Sequence, residues 1–326
     1  MGVRFGKDRE RAGLYAENRH FQGTEGDVGV VSSGGVALRF TPVDRATLGY
    51  DLFVLAFVIL FWRKIPSAGT HLLFNLSVVG VVFLMRRLRG GPLSRFLRSG
   101  YPLILFTFFY YQTGLLNRIL VPEFLDPLFL SADRGIFGEF PGILLRQMLR
   151  GRFWSEFFHF FYSSYYIVIP LTAVGIFLRE RGRFEEYMFQ VSLLFYICYA
   201  IYIFLPVEGP LHLRALSFDG GGFFERLVDF LYAKGENPGA AFPSSHVAVA
   251  LLVAWWSRRV GRAFSCVVTL CSLFLSVATV YCMFHYAVDV FAGVFLAVAY
   301  VVAVGKLRGE DKGDDEENGE KNPPRL

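Results

Sequence analysis

Long apolar runs alternate with short polar breaks along most of the chain. The runs fall at roughly Ala46–Trp62, His71–Met85, Tyr101–Leu116, Phe157–Leu178, Met188–Leu205, Ser244–Trp256, Phe264–Met283 and His285–Val304. Arginines or a Pro/Gly turn close each of them. A bilayer core needs about 20 helical residues, so the shorter runs are expected to extend into their flanks. Asp51 interrupts the first run. The pattern predicts an all-α integral membrane protein of about eight transmembrane helices. Two other segments read as interfacial. Phe223–Lys234 places Phe223, Phe224, Leu227, Val228 and Leu231 on one helical face, with Glu225, Arg226 and Asp229 elsewhere. The stretch "PEFLDPLFLSADRGIFGEFPGILLRQML" is mixed and broken by Pro and Gly, and is expected to lie along the surface. No internal repeat is visible, which weighs against a transporter built from inverted halves.

Composition supports the membrane reading. Of the 326 residues, 54% are hydrophobic and only 19% charged, too few charges for a soluble domain of this length. The 17% aromatic content suits bilayer interfaces. The net charge of +5 does not point to nucleic acid, because the arginines sit in short loops between apolar runs. Those loops, "RRLRGGPLSRFLR", "RERGR", "RRVGR" and "KLR", fall on one side of an eight-span arrangement, and the positive-inside rule makes that side cytoplasmic. The segment Pro206–Pro243 and the turn before His285 then face the extracytoplasmic side of a multi-pass cell-membrane protein. Cys198, Cys266, Cys271 and Cys282 all lie in apolar runs and read as packing residues. Residues 1–45 are polar and Gly-rich, with no cleavable signal peptide, and are expected to form a mostly disordered cytoplasmic tail. Residues 46–99 hold two extra helices and a basic loop, residues 100–306 a six-helix catalytic membrane domain, and residues 307–326 a charged, disordered tail.

Chemistry enters at "AAFPSSHVAVALLVAWW", which runs from Ala240 to Trp256. His246 opens the sixth run and His285 the eighth. The roughly 40 residues between them allow two crossings, which returns both histidines to the same face. Asp289 follows His285 by one helical turn and shares its face. A carboxylate on one imidazole nitrogen fixes the tautomer and leaves the other nitrogen able to attack phosphorus. A second histidine supplies a proton to the leaving oxygen. Pro243-Ser244-Ser245 starts a helix, and the amides and hydroxyls of Ser244 and Ser245 are expected to cradle an anion. His20, His71 and His159 read as interfacial residues, and His212 is divided between that reading and a role beside Arg214.

"FPSSH" followed by "HYAVD" resembles the second and third signatures of the type 2 phosphatidate phosphatase superfamily, P-S-G-H and S-R-x5-H-x3-D. More narrowly, "AAFPSSH" with "ATVYCMFHYAVDVFAG" is similar to the inositol phosphorylceramide synthase-like branch, which has Ala-Thr where Ala278 and Thr279 stand. The resemblance runs from about Phe124 to Gly305 and implies a six-helix core of phosphatidate phosphatase type. It departs at three places. The first signature, K-x6-R-P, is absent, and "FLPVEGPLHLR" occupies its position; Ser245 replaces a glycine; Thr279 replaces the arginine. Arg214 is the cation assigned to the phosphate, with Lys234 second.

The resemblance implies a metal-independent enzyme without cofactor, acting on a lipid phosphate or phospholipid through a phosphohistidine. His285 is then the nucleophile, Asp289 its orienter and His246 the general acid. A polyol or sphingoid alcohol acceptor makes it a headgroup transferase of the inositolphosphotransferase kind; water makes it a lipid phosphate phosphatase. Two histidines and an aspartate also suit a metal, and a non-catalytic lipid-binding protein is the reading from another class.

Overall fold

Several helices of this chain begin at a proline in the first turn, as at Pro42, Pro92, Pro102 and Pro141, or at a capping side chain, as at Thr41 and Ser244. The structure, a computed structural model, describes residues 39–218, 220–235 and 237–320, with side chains through residue 304. His20 and most of the expected N-terminal tail lie outside the described residues. The described chain is helical, and its one β-bridge joins Val207 to Ala240. In chain order the helices are α1 (Pro42–Leu60), α2 (Ala68–Arg87), α3 (Pro92–Gly100), α4 (Pro102–Leu116), α5 (Asp126–Phe137), α6 (Pro141–Met148) and α7 (Arg152–Arg179). There follow α8 (Arg181–Phe204), α9 (Leu211–Ser217), α10 (Phe223–Gly235), α11 (Ser245–Ser257), α12 (Arg262–Tyr281) and α13 (Ala287–Glu320). The helical backbone of α13 thus continues through most of the charged segment that follows residue 306.

Among the described residues, five helices are long and apolar enough to cross a membrane: α2, α7, α8, α12 and the Ala287–Val304 part of α13. α11 is apolar but has only 13 residues. Its packing accounts for that composition, since Val247 through Ala250, Leu252 and Val253 are all fully buried. A helix apolar on every side belongs in the interior. The outer faces of α12 and α13 instead expose Val267, Leu270, Leu273, Phe291, Phe295 and Val298, a surface suited to lipid.

The first helices pack on α8. Tyr50 stacks on Tyr196 with ring centroids 4.8 Å apart, and Thr47 Oγ1 lies 3.0 Å from Tyr196 Oη. Thr41 caps α1 reciprocally with Asp44, whose carboxylate also pairs with Arg86 at 3.0 Å and accepts from Tyr101 Oη at 3.1 Å. The arginine-rich loops gather at one end of the bundle, where Arg259 pairs with Glu180 at 3.0 Å. From there α12 rises 20 residues, roughly 30 Å at 1.5 Å per residue, to the end that carries the histidines.

Candidate active site

Three backbone segments meet at this end: the turn before α11, the turn before α13, and the loop after α8. Pro206 O accepts from Leu125 N–H, and Val207 O accepts from Ala241 N–H at 2.8 Å. Tyr202, at the end of α8, donates to Pro243 O at 2.9 Å and accepts the Ser245 amide at 3.2 Å. This braces the turn that contains the cis Phe242–Pro243 bond.

The turn carrying His285 hangs from Thr279. The amides of Phe284 and His285 both donate to Thr279 O, at 3.0 and 3.1 Å, while the Thr279 hydroxyl donates to Ser276 O. The residue in the place of the family arginine is therefore fully buried and structural. α13 then starts with its amides satisfied by acids. Asp133 of α5 accepts from Ala287 N at 2.8 Å and from Val288 N at 3.0 Å, and Asp289 accepts from Tyr286 N at 2.9 Å. Burial pushes the Asp133 carboxyl above its usual range, and the two amides oppose that shift only in part. Asp126 adds a third tie, accepting from Glu208 N, Gly209 N and Tyr286 Oη. Nothing in the motif reading anticipated Asp126 and Asp133. The available signal was two acids seven residues apart, on one face of a helix.

His285 lies between two partners. Its Nδ1 is 3.4 Å from Asp289 Oδ2, and its Nε2 is 3.3 Å from Ser244 Oγ. The His285 and Asp289 side chains are 4% and 0% exposed, so solvent competes with neither contact. The ring of His246 stands 5.6 Å from that of His285, centroid to centroid. Tyr162 and Tyr165 flank His246 at 5.2 and 4.3 Å, and Tyr162 Oη lies 3.4 Å from its Nε2. His246, His285, Asp289 and Ser244 thus share one site.

The anion cradle differs from expectation. The Ser244 amide donates to Asp289 O at 3.0 Å, the Ser245 amide to Tyr202, and the Val247 amide to Ser244 Oγ at 3.4 Å. The Ser244 amide is occupied because α13 comes close: a Cβ on Gly293 would lie 2.6 Å from Ser244 O. The Ser245 hydroxyl faces Tyr165 and Tyr202. The hydroxyl of Ser244, not its amide, faces His285.

The cations sit apart from the histidines. Arg214 is held by Asp229, by Cys282 O at 2.8 Å and by His159 Nε2 at 3.0 Å, with its guanidinium over Phe218 and Phe284. Its link to the site runs through Phe284, whose ring also stacks on Tyr162 at 4.5 Å. It borders a cavity of about 220 Å³ with Asp229, Phe218 and Tyr232. Lys234 is exposed near the end of α10 and makes no described contact with either histidine. His159 is fully buried rather than interfacial, and its Nδ1 faces Ser155 O at 2.7 Å. His71 is likewise buried, beside Gln112. His212 is exposed on α9.

The helical framework thus brings two histidines and a carboxylate together on adjoining turns, an arrangement suited to phosphoryl-transfer chemistry. The chain belongs to the PAP2 superfamily, whose model matches residues 128–303, more than half of its length. No curated relative and no solved structure matches it. Membership suggests a lipid phosphatase or phosphotransferase type of function and a membrane setting.

Proposed function

We propose that the protein transfers a phosphoryl or phospho-headgroup unit from a lipid through a phosphohistidine on His285, in the manner of the inositolphosphotransferases. The observation that carries this reading is the alignment of Asp289, His285 and Ser244, with the His246 ring 5.6 Å away. Asp289 holds the proton on Nδ1, which leaves the Nε2 lone pair for phosphorus. That lone pair accepts from the Ser244 hydroxyl, which turns to a phosphoryl oxygen on substrate binding. Nε2 forms the new bond to phosphorus as the bond to the lipid oxygen breaks, and that oxygen takes its proton from His246. With Tyr162 donating to His246 Nε2, Nδ1 carries the proton to be given. The acceptor alcohol then returns a proton to His246 as it attacks phosphorus and restores His285. Arg214 supplies positive charge beside the phosphate from across Phe284. No metal takes part in this scheme.

The proposed topology has eight crossings, with α1, α4 and α11 completing the five long spans. The arginine-rich end is cytoplasmic and the histidines face the extracytoplasmic side, which the separation of the two ends along α12 supports. The test is to incubate purified protein with labelled phosphatidate and phosphatidylinositol, with and without inositol, ceramide or diacylglycerol as acceptor. Labelled phosphodiester that grows with acceptor supports transfer. Free phosphate or inositol phosphate that ignores the acceptor replaces transfer with hydrolysis.

A further inference from the structure

At the arginine-rich end, far from the histidines, a groove of about 450 Å³ opens between the end of α11 and the start of α12. Arg258, Arg262, Ser265, Cys266, Thr269 and Leu270 line it. Arg262, Cys266 and Thr269 follow one another at helical spacing, so they form one stripe on α12. Neighbouring charges do not neutralise the two arginines. Arg259 between them is paired with Glu180, whereas Arg258 and Arg262 are exposed and have no carboxylate partner among the described residues. Arg258 donates to Trp255 O at 3.0 Å and lies over the Trp255 ring, which fixes the guanidinium at the rim. Below the rim the stripe continues without a break into exposed Leu270, Leu273 and Val277, the lipid-facing surface of α12.

We infer that this groove is a binding site for an anionic phospholipid of the leaflet at this end. The phosphate sits between Arg258 and Arg262, and an acyl chain runs down past Cys266 and Leu270. Two unpaired guanidiniums over an apolar channel match a phosphate joined to a hydrocarbon tail. A soluble anion would use only the rim, and a zwitterionic lipid brings an ammonium group that opposes the two guanidiniums. The site is independent of the histidine chemistry, which lies roughly 30 Å away along α12.

Cys266 is an exposed thiol inside the groove, whereas Cys198 and Cys282 are buried and Cys271 is partly covered. The experiment follows maleimide labelling of Cys266 in the full-length protein in detergent, with peptide mass spectrometry to separate it from Cys271. Phosphatidylglycerol, phosphatidylcholine and inorganic phosphate are titrated separately. Phosphatidylglycerol is expected to protect at about 25-fold lower concentration than phosphatidylcholine, since each basic residue near an anionic lipid contributes roughly fivefold. Arg258→Gln with Arg262→Gln is expected to erase that preference, while the labelling rate without lipid stays the same and reports an intact groove. Equal protection by both lipids, or none, overturns the proposal. So does a preference that survives the double substitution, or protection by inorganic phosphate at the same concentration.

Discussion

Gly293 offers the sharpest perturbation, because it sets the distance between the helices that carry the two histidine turns. In Gly293→Ala the new methyl would meet Ser244 O at 2.6 Å, Val247 Cβ at 3.2 Å and Ala248 N at 3.4 Å. A comfortable carbon–oxygen contact is about 3.3 Å, so α13 and α11 must separate by roughly 0.7 Å. The Nε2 contact of His285 with Ser244 Oγ, at 3.3 Å, and the Ser244 N–H bond to Asp289 O, at 3.0 Å, both span this gap. Lengthened by that amount, the first is no longer a hydrogen bond. Overpacking of this kind costs about 1–3 kcal/mol, and a misplacement near 1 Å costs about 100-fold in rate. The expected outcome is a Tm lowered by a few degrees with kcat reduced about 10- to 100-fold, measured on labelled lipid phosphate with protein verified as folded. Gly80→Ala is the control, since nothing lies within 4 Å of a Cβ there. A Gly293→Ala enzyme with wild-type kcat and Tm would refute the claim that this contact sets the site.

The two histidines are expected to fail differently. His285→Ala abolishes both turnover and acid-labile phosphate on the protein, whereas His246→Ala loses about 100- to 10,000-fold and recovers in part with p-nitrophenyl phosphate, whose leaving group needs no proton; quenched labelling of each variant checks this. Arg214→Gln is expected to raise KM and lower kcat together, while exposed Lys234→Gln leaves both unchanged, as steady-state assays will read. Activity is expected to survive EDTA; reproducible loss restored by zinc or magnesium would replace the phosphohistidine scheme with a metal-assisted one.

Positions set by helical spacing were legible in the sequence, and contacts made through backbone amides were not. The turn between His285 and Asp289 is an i,i+4 relation, which spacing alone specifies, and the contact is present at 3.4 Å. Two crossings between His246 and His285 were expected to return them to one face, and their rings lie 5.6 Å apart. Asp133, by contrast, acts on the amides of Ala287 and Val288 across more than 150 residues, and backbone amides leave no mark in a sequence. The occupied cradle had the same cause. Any helix N-terminus promises free amides, but the approach of α13 at Gly293 hands the Ser244 amide to Asp289 O. His159 looked like one more aromatic-flanked residue at a span end. Only tertiary packing shows that its Nε2 faces the Arg214 guanidinium.

In the proposed scheme Asp289 serves folding and catalysis through one atom, and Asp289→Asn can separate them. Both its described partners, Tyr286 N and His285 Nδ1, face Oδ2, at 2.9 and 3.4 Å, while Oδ1 is buried without a described partner. An asparagine that places its carbonyl at the Oδ2 position still accepts from Tyr286 and still faces Nδ1. The cap survives and the charge is removed. That charge matters once Nε2 bonds to phosphorus, because the imidazole then becomes cationic. At 3.4 Å and an effective dielectric constant of about 20, the attraction is at most about 5 kcal/mol. The phosphoryl oxygens neutralise part of it, so kcat is expected to fall about 100- to 1,000-fold. The side-chain amide now buried at the Oδ1 position costs about 1–3 kcal/mol of stability. Asp289→Ala loses the cap as well, so it is expected to be the less stable variant and fully inactive. Thermal melts paired with quenched labelling separate the two effects. An Asp289→Asn enzyme that forms phosphoenzyme at the wild-type rate would show that the carboxylate serves the helix alone.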